Sequence, residues 1–389
     1  MRTTVLVATP AADLYGSNLQ LLQSVSAMRA HGWQVVVVTP TEGPLVGQLR
    51  ARGAGVTRAD FPVLRRADAS LRGLTGLAMR SPHAVMRIRR LIAAHRPAVV
   101  YVNTITLPWW LVAARSTGTP TICHVHEAEQ ADPRPVRFGL TVPLWLATLC
   151  IANSRSTAAE LAAMQPRLGE RVRVVYNGVE GPDGIPKPAA QRARTRLVVV
   201  GRLSARKAPH IAIETLSRLL AAGYDVELDI CGTPFDSQGG YVEQLTERIK
   251  HPDVVGRVRL RGHVSPIWSA LEDSDILVAP SLGESLGNAV IEAQLAGRPV
   301  VATAVQGHLE SVSHEDTGLL VPLADPTATA DAVGRLIDNP ELADRLVRRA
   351  RTRSREQFST ATYNRSITSV IESAGHNLRA ATVPSIPLT

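Results

Sequence analysis

The sequence predicts an α/β chain of two domains, each built on a parallel sheet, and three observations carry that prediction. Apolar runs at residues 3–8, 34–38 and 197–200 each give way to a loop bearing Gly or Pro, and residues 3–38 form a strand, loop, helix, strand unit. At 389 residues and 45% hydrophobic content the chain is long enough for two cores. Residues 181–195, "GPDGIPKPAAQRART", are rich in Pro and Gly and lack periodicity, so they read as the linker. The expected division is 1–180, the linker, 196–358, a final helix over 359–374 and a disordered tail over 375–389.

Composition narrows the partners. The net charge of +9 is carried almost wholly by arginine, since Lys187, Lys207 and Lys250 are the three lysines. A basic balance admits nucleic acid, an anionic membrane or a phosphorylated substrate. With aromatics at 4% and no basic stripe interleaved with them, nucleic acid is the least supported. Cys123, Cys150 and Cys231 have no ligand-like spacing and lie in or beside apolar runs, as reduced core thiols do. The N-terminal strand is too short for a signal peptide, and no stretch reaches the roughly 18 apolar residues of a membrane span. A cytoplasmic location is expected.

In chain order, the loop "TPAADLYGSN" offers Gly16 alone where a dinucleotide site wants G-x-G-x-x-G, which argues against an NAD enzyme. A helix is expected over 19–30, stopped at His31 and Gly32. Residues 64–96 carry eight arginines against Asp68, and Met86, Arg87, Arg89 and Arg90 fall on an amphipathic helix before the strand 98–102. Such a helix is either a solvated face or a dock for an anionic membrane or lipid phosphate. Trp109 and Trp110 read as packing within an apolar run. The strand 121–125 sets His126 and Glu127 at its carboxyl end, where open α/β sheets gather ligand groups. That placement favours His126 over His124. Residues 138–154 should hold a buried core helix and a strand, and 172–176 a further strand before the Asn177-Gly178 turn.

The second domain opens on 197–200 and "GRLSARKAPH", where Gly201 allows close approach and Arg202 and Lys207 supply cations for a diphosphate. A lysine is distinctive in a chain that has three. A strand is expected over 226–231 and a strand with its turn over 258–264, and residues 273–278 lead into "APSLGESLGNAVIEAQLAGRPVVATAV". There the pattern turns helical from about Leu286 and is stopped by Gly297 and Pro299. Ser285, Leu286, Gly287 and Asn288 would offer backbone N–H groups at the positive end of that helix, with Gly287 admitting an anion. Glu284 and Glu292 flank them, and a carboxylate suits hydroxyl donors. A diphosphate between hydroxylated rings fits this pattern, which describes a sugar nucleotide. His308, His314 and Glu315 lack zinc spacing and read as exposed polar residues. Tyr363, Ile367, Val370, Ile371 and Ala374 mark the final amphipathic helix.

The run "E-S-L-G-N-A-V-I-E-A" with "A-G-R-P-V-V-A-T" after it resembles the Glu-x7-Glu signature of the family 4 retaining glycosyltransferases. The resemblance implies the GT-B fold, two facing Rossmann-like domains with a cleft between them and a C-terminal helix returning to the first. It puts Glu284 on the donor sugar, Glu292 on the nucleotide ribose, Arg202 and Lys207 on the donor phosphates, and His126 near the reaction centre. By the same resemblance Gly16 lies near the diphosphate and acceptor, and the 258–264 turn, with Val264, meets the base. Ala208 stands where the family has glycine. The implied reaction moves a sugar from a UDP- or GDP-sugar to an unknown acceptor hydroxyl with retention, without metal or other cofactor, in glycan, glycolipid or cell-envelope synthesis. An anionic inner-membrane surface is the candidate further partner. An epimerase of the same fold and a non-catalytic nucleotide-sugar-binding protein stay open.

Overall fold

The structure, a computed structural model, describes residues 3–14, 16–64, 71–126, 133–182, 184, 194–234 and 239–381. The arginines at 65 and 66, Glu127, most of the predicted linker and the last eight residues lie outside them. The chain forms two compact units, one running to Gly178 and resuming at Thr360, the other Val179–Ser359.

The first unit holds a parallel sheet of β1 (Thr4–Ala8), β2 (Gln34–Thr39), β3 (Gly55–Arg58), β4 (Val99–Val102), β5 (Thr121–Val125), β6 (Leu149–Ala152) and β7 (Val172–Val174). Its order is β3-β2-β1-β4-β5-β6-β7. The second holds β8 (Thr195–Val200), β9 (Val226–Cys231), β10 (Val258–Gly262), β11 (Ile276–Ala279), β12 (Val300–Thr303) and β13 (Leu319–Val321), in the order β10-β9-β8-β11-β12-β13. Each order reverses direction once, between β1 and β4 and between β8 and β11. At such a switch the loops leaving the carboxyl ends of the two strands part and open a crevice, so each sheet marks its own ligand position.

Central strands are apolar on both faces because helices cover both. One face of the first sheet puts Val5, Val7, Val35 and Val37 against the helices Ser17–Ala30 and Thr360–Ala381, the latter through Tyr363, Ile367, Ile371 and Ala374. The other puts Leu6, Val100 and Val102 against Ile88, Ile92, Trp110 and Leu144. The three cysteines are buried and none is in a disulfide. Arginine also serves the fold: Asp229, 2% exposed on β9, accepts from Arg259 Nε and Arg261 Nη1 at 2.7 Å each, which pairs a buried carboxylate along the β10 edge.

Several expectations are corrected. The last helix runs to Ala381, seven residues beyond its expected end at 374. The strand and turn expected over 258–264 are present and need no correction: β10 ends at Gly262, whose φ of 66° turns the chain before Val264. The helix Pro44–Ala51 and the short, half-polar edge strand β3 gave no periodic signal. The segment after 138 is not a wholly buried helix. It is a helix Arg134–Thr141 running into a 3-10 turn Val142–Leu146, with Phe138 52% and Trp145 46% exposed.

Candidate active site

In the second unit the crevice loops leave β8 (residues 201–208) and β11 (residues 280–287). Gly201 has φ 152° and lets the Lys207 stem lie against it, a Cβ there falling 3.4 Å from Lys207 Cδ. Gly232, after β9, has φ 153°, and a Cβ on it would overlap the Gly201 carbonyl oxygen. Gly232→Ala therefore breaks the packing of this loop; we expect a loss of about 3 kcal/mol in urea unfolding, from overlap added to backbone strain. Ala208 takes the left-handed conformation, φ 50° and ψ 44°, that glycine would adopt there, so the loop keeps its turn despite the substitution. The two crevice loops are tied together: Leu282 N–H donates to Arg206 O at 2.7 Å, and Arg206 Nη1 donates to Gly283 O at 2.8 Å.

Across this tie Lys207 Nζ donates to Glu284 Oε2 in an ion pair whose side chains are 20% and 9% exposed. Burial alone would raise the Glu284 carboxyl, but the charges of Lys207, His308 and Arg206 and the Lys207 hydrogen bond outweigh it and hold the group at about 2. Glu284 is therefore ionised throughout the physiological range, an acceptor for hydroxyls. Its backbone N–H donates to Gln306 Oε1 at 2.8 Å, and its carbonyl accepts from Gly307 N–H at 2.9 Å. Gly307 seats against Ser285 and Leu286 so closely that any Cβ would overlap them.

The helix is Asn288–Leu295, starting two residues later than the pattern indicated, so Ser285, Leu286 and Gly287 precede it. Gly287 is its N-cap at φ 91°, a conformation open to glycine, and its carbonyl accepts from Val290 N–H at 3.0 Å. Leu286 is buried at 1% exposure and anchors the loop, whereas Asn288 is exposed at the mouth of the helix. Glu292 stands half-buried one turn in. Burial raises its carboxyl to about 7, against the lowering pull of Lys207. The two glutamates of the motif thus differ: one is held ionised and the other titrates near neutrality.

His308 corrects the expectation of an exposed polar residue. It is 1% exposed, its Nδ1 lies 3.1 Å from Thr303 O, and a Cβ on Gly287 would fall 2.8 Å from its ring. Burial lowers its pKa although Glu284 pulls it up. Arg206, Gln306 and Gly307 were not read from the sequence at all. The available signal was position, since "VQGH" follows the carboxyl end of β12. His314 and Glu315 are about half exposed, with side chains at 53% and 49%. Arg202 and Val264 are half-buried on loops leaving β8 and β10.

In the first unit the corresponding loops leave β1 and β4. Gly16 caps the helix Ser17–Ala30 at φ 45°, ψ −113°, a region that a side chain forbids. Asn18, 3% exposed, fastens the loop by accepting from Thr9 Oγ1 at 2.7 Å and donating to Asp13 Oδ1 at 2.8 Å. Asn103 Nδ2 donates to Ser17 O at 3.3 Å, so its Oδ1 faces His126 Nε2, 3.2 Å away, and makes that nitrogen the donor. Asn153 Nδ2 donates to His126 O at 3.1 Å. His126 is half-buried at the end of β5, and burial lowers it to about 3, so it is a neutral imidazole. His124 is fully buried, bonded through Nδ1 to Tyr101 OH, and its ring lies 3.9 Å from that of His126. His124 is a core residue and His126 the one at the strand mouth.

Comparison with known proteins follows the same two units. Residues 16–180 match the Glycosyltransferase Family 4 model, and residues 194–339 match the Glycosyl transferases group 1 model. The D-inositol 3-phosphate glycosyltransferase of Streptomyces scabiei is 29% identical over 387 residues, covering 89% of this chain and 84% of its own. That of Corynebacterium urealyticum is 24% identical over 373 residues, covering 88% and 87%. A crystal structure of Anabaena HepE in complex with UDP and glucose superposes with a TM-score of 0.80 at 22% identity, covering 96% of this chain and all of that one, and shows the same GT-B fold. Matched by family models in both of its Rossmann-like units, the chain belongs to the family 4 glycosyltransferases.

Proposed function

We propose that the chain transfers a sugar from a nucleotide diphosphate donor to an acceptor hydroxyl with retention of configuration and without a metal. The observation that carries this reading is the buried Lys207–Glu284 pair beside the Gly287 helix start. Lys207 has three donors and uses one on Glu284, which leaves others for phosphate oxygens. With Arg202 and the helix N-terminus it would stabilise the departing diphosphate, the charge that develops in the transition state. Ionised Glu284 would accept from the donor sugar and Glu292 from the ribose. His126, neutral and with its donor nitrogen turned to Asn103, would accept a hydrogen bond near the sugar rather than protonate it. The exposed arginine face of the helix Leu71–His95, Arg80, Arg87, Arg89 and Arg90 beside Met79 and Met86, would meet an anionic membrane surface. No helix of the described residues is long and apolar enough to cross one.

UDP is the nucleotide to test first, because HepE was crystallised with it, and inositol phosphate the acceptor, because the curated relatives are named for it. Thermal unfolding with saturating UDP, GDP or ADP should show one nucleotide stabilising the protein by roughly 2.7 kcal/mol at 100 times its Kd, and Glu292→Ala should lose most of that gain. The anomeric coupling of the product by NMR tests retention, and turnover unchanged by EDTA tests metal independence. Stabilisation by no nucleotide, or equally in the variant, would refute the donor site.

A further inference from the structure

The outer face of residues 134–146 carries an apolar stripe that the transfer reaction does not use. Phe138, Val142 and Trp145 follow one another at helical spacing, 52%, 38% and 46% exposed, with Val136 at 40% beside them. The inner face is fixed. Arg137 is ion-paired with Glu160, Leu144 is 1% exposed, and Thr141 Oγ1 donates to Arg137 O at 2.9 Å while accepting from Gln165 Nε2 at 3.2 Å. The stripe is thus a rigid surface feature rather than a side of the core.

Its surroundings are basic. From residue 133 to 174 there are six arginines and two acids, Glu160 and Glu170, and Glu160 is spent on Arg137. Arg171 donates to Trp145 O at 3.3 Å, and Arg173 to Glu170 O and Val172 O at 2.8 and 3.2 Å. Bonds to carbonyls hold these side chains without cancelling their charge. The segment belongs to the same helical layer as the arginine-rich helix: Ile88 and Ile92 of that helix, Trp110 and Leu111 of Pro108–Ser116, and Leu144 share one core on one sheet face. Val112, 38% exposed, lies on the helix between them. An aromatic stripe fringed by arginines, in the same helical layer as an arginine face, fits the interface of an anionic bilayer, where Trp and Phe seat at headgroup depth. A second copy of the chain would set the same arginines against one another.

We propose that Phe138, Val142 and Trp145 form a hydrophobic wedge that inserts this layer into anionic membranes. It rests on the membrane reading of the helix Leu71–His95 for the kind of partner, and adds insertion to attraction. The test is co-sedimentation with vesicles of phosphatidylglycerol and phosphatidylcholine over a salt series. Wild type should bind the anionic vesicles and retain part of that binding at high salt, since burial of apolar surface is not screened. Phe138→Ser/Trp145→Ser should lose the salt-resistant part, about tenfold or more in partitioning, and Arg89→Ala/Arg90→Ala the salt-sensitive part. Brominated lipid should quench wild type more than Trp145→Phe, a readout that needs no disruptive variant. Equal binding and equal quenching with and without the stripe overturn the wedge while leaving the arginine contact standing. No vesicle binding by wild type overturns both. A dimer in light scattering that dissolves in Trp145→Ser would assign the stripe to a second copy instead.

Discussion

Lys207→Ala is expected to destabilise the second unit by about 3 kcal/mol at pH 7 and to abolish nucleotide binding. The substitution leaves the Glu284 carboxylate, 9% exposed, without its direct counter-charge. Breaking a buried pair from one side costs about 3–5 kcal/mol, and the 20% exposure of Lys207 places this case at the lower end. The sign with pH follows from the shift. In the wild type Glu284 lies at about 2 against an ordinary 4.5, so its contribution is fully present above 4.5 and lost as the pH falls through 2. Without Lys207 burial dominates, the carboxyl rises, and the folded variant takes up a proton that the wild type refuses. The gap between the two should therefore be widest near pH 7 and close below about pH 4. Adding Glu284→Gln to Lys207→Ala should recover much of the loss, because a neutral amide needs no counter-ion. Urea unfolding from pH 3.5 to 8 measures all three proteins, and a gap that does not vary with pH would show that Lys207 acts through packing rather than charge.

The pair also marks the limit of what the sequence could show. Lys207 and Glu284 were each legible, one from its rarity among the arginines and the other from its place before a helix. Their contact was not, because it depends on β8 and β11 being sheet neighbours although far apart in the chain. Strand runs such as 121–125 and 226–231 are recovered to the residue, although each carries polar residues, His124 in one and Glu227 and Asp229 in the other, among its apolar ones. The helix start was missed by two residues, because Leu286 fits the helical apolar pattern while serving as the anchor of the preceding loop. His308 shows the converse. A polar residue in a polar sequence gives no hint of burial, and what buries it is Gly287, whose missing Cβ lets the ring in. The exposed stripe at Phe138 and Trp145 failed for a related reason: an apolar run does not say which of its faces is covered.

Glu292→Gln should raise stability at pH 8 by about 2 kcal/mol while weakening nucleotide binding roughly tenfold to a hundredfold. Burial holds this carboxyl at about 7 against the ordinary 4.5. A raised folded value means that the contribution to stability is fully present below 4.5 and lost as the pH rises through 7. At pH 8 the wild type keeps a half-buried charge that the unfolded chain would solvate, at a cost of about 3 kcal/mol for full burial and less here. Glutamine has the same shape and no charge, so the two proteins should be equally stable near pH 4 and diverge upward. Binding runs the other way. Ribose hydroxyls donate best to the ionised carboxylate, a bond worth about 1.5–3 kcal/mol, so nucleotide binding should expel a proton from Glu292. Affinity in the wild type should then fall as the pH drops below 7, whereas in Glu292→Gln it should be flat. Calorimetry in two buffers of different ionisation enthalpy detects the expelled proton directly. A Glu292→Gln variant that is less stable than wild type at pH 8 would mean that the carboxylate is anchored by the fold. One that is more stable and binds as tightly would remove Glu292 from the nucleotide site, and only the combination of gained stability and lost affinity marks a charge kept for its ligand.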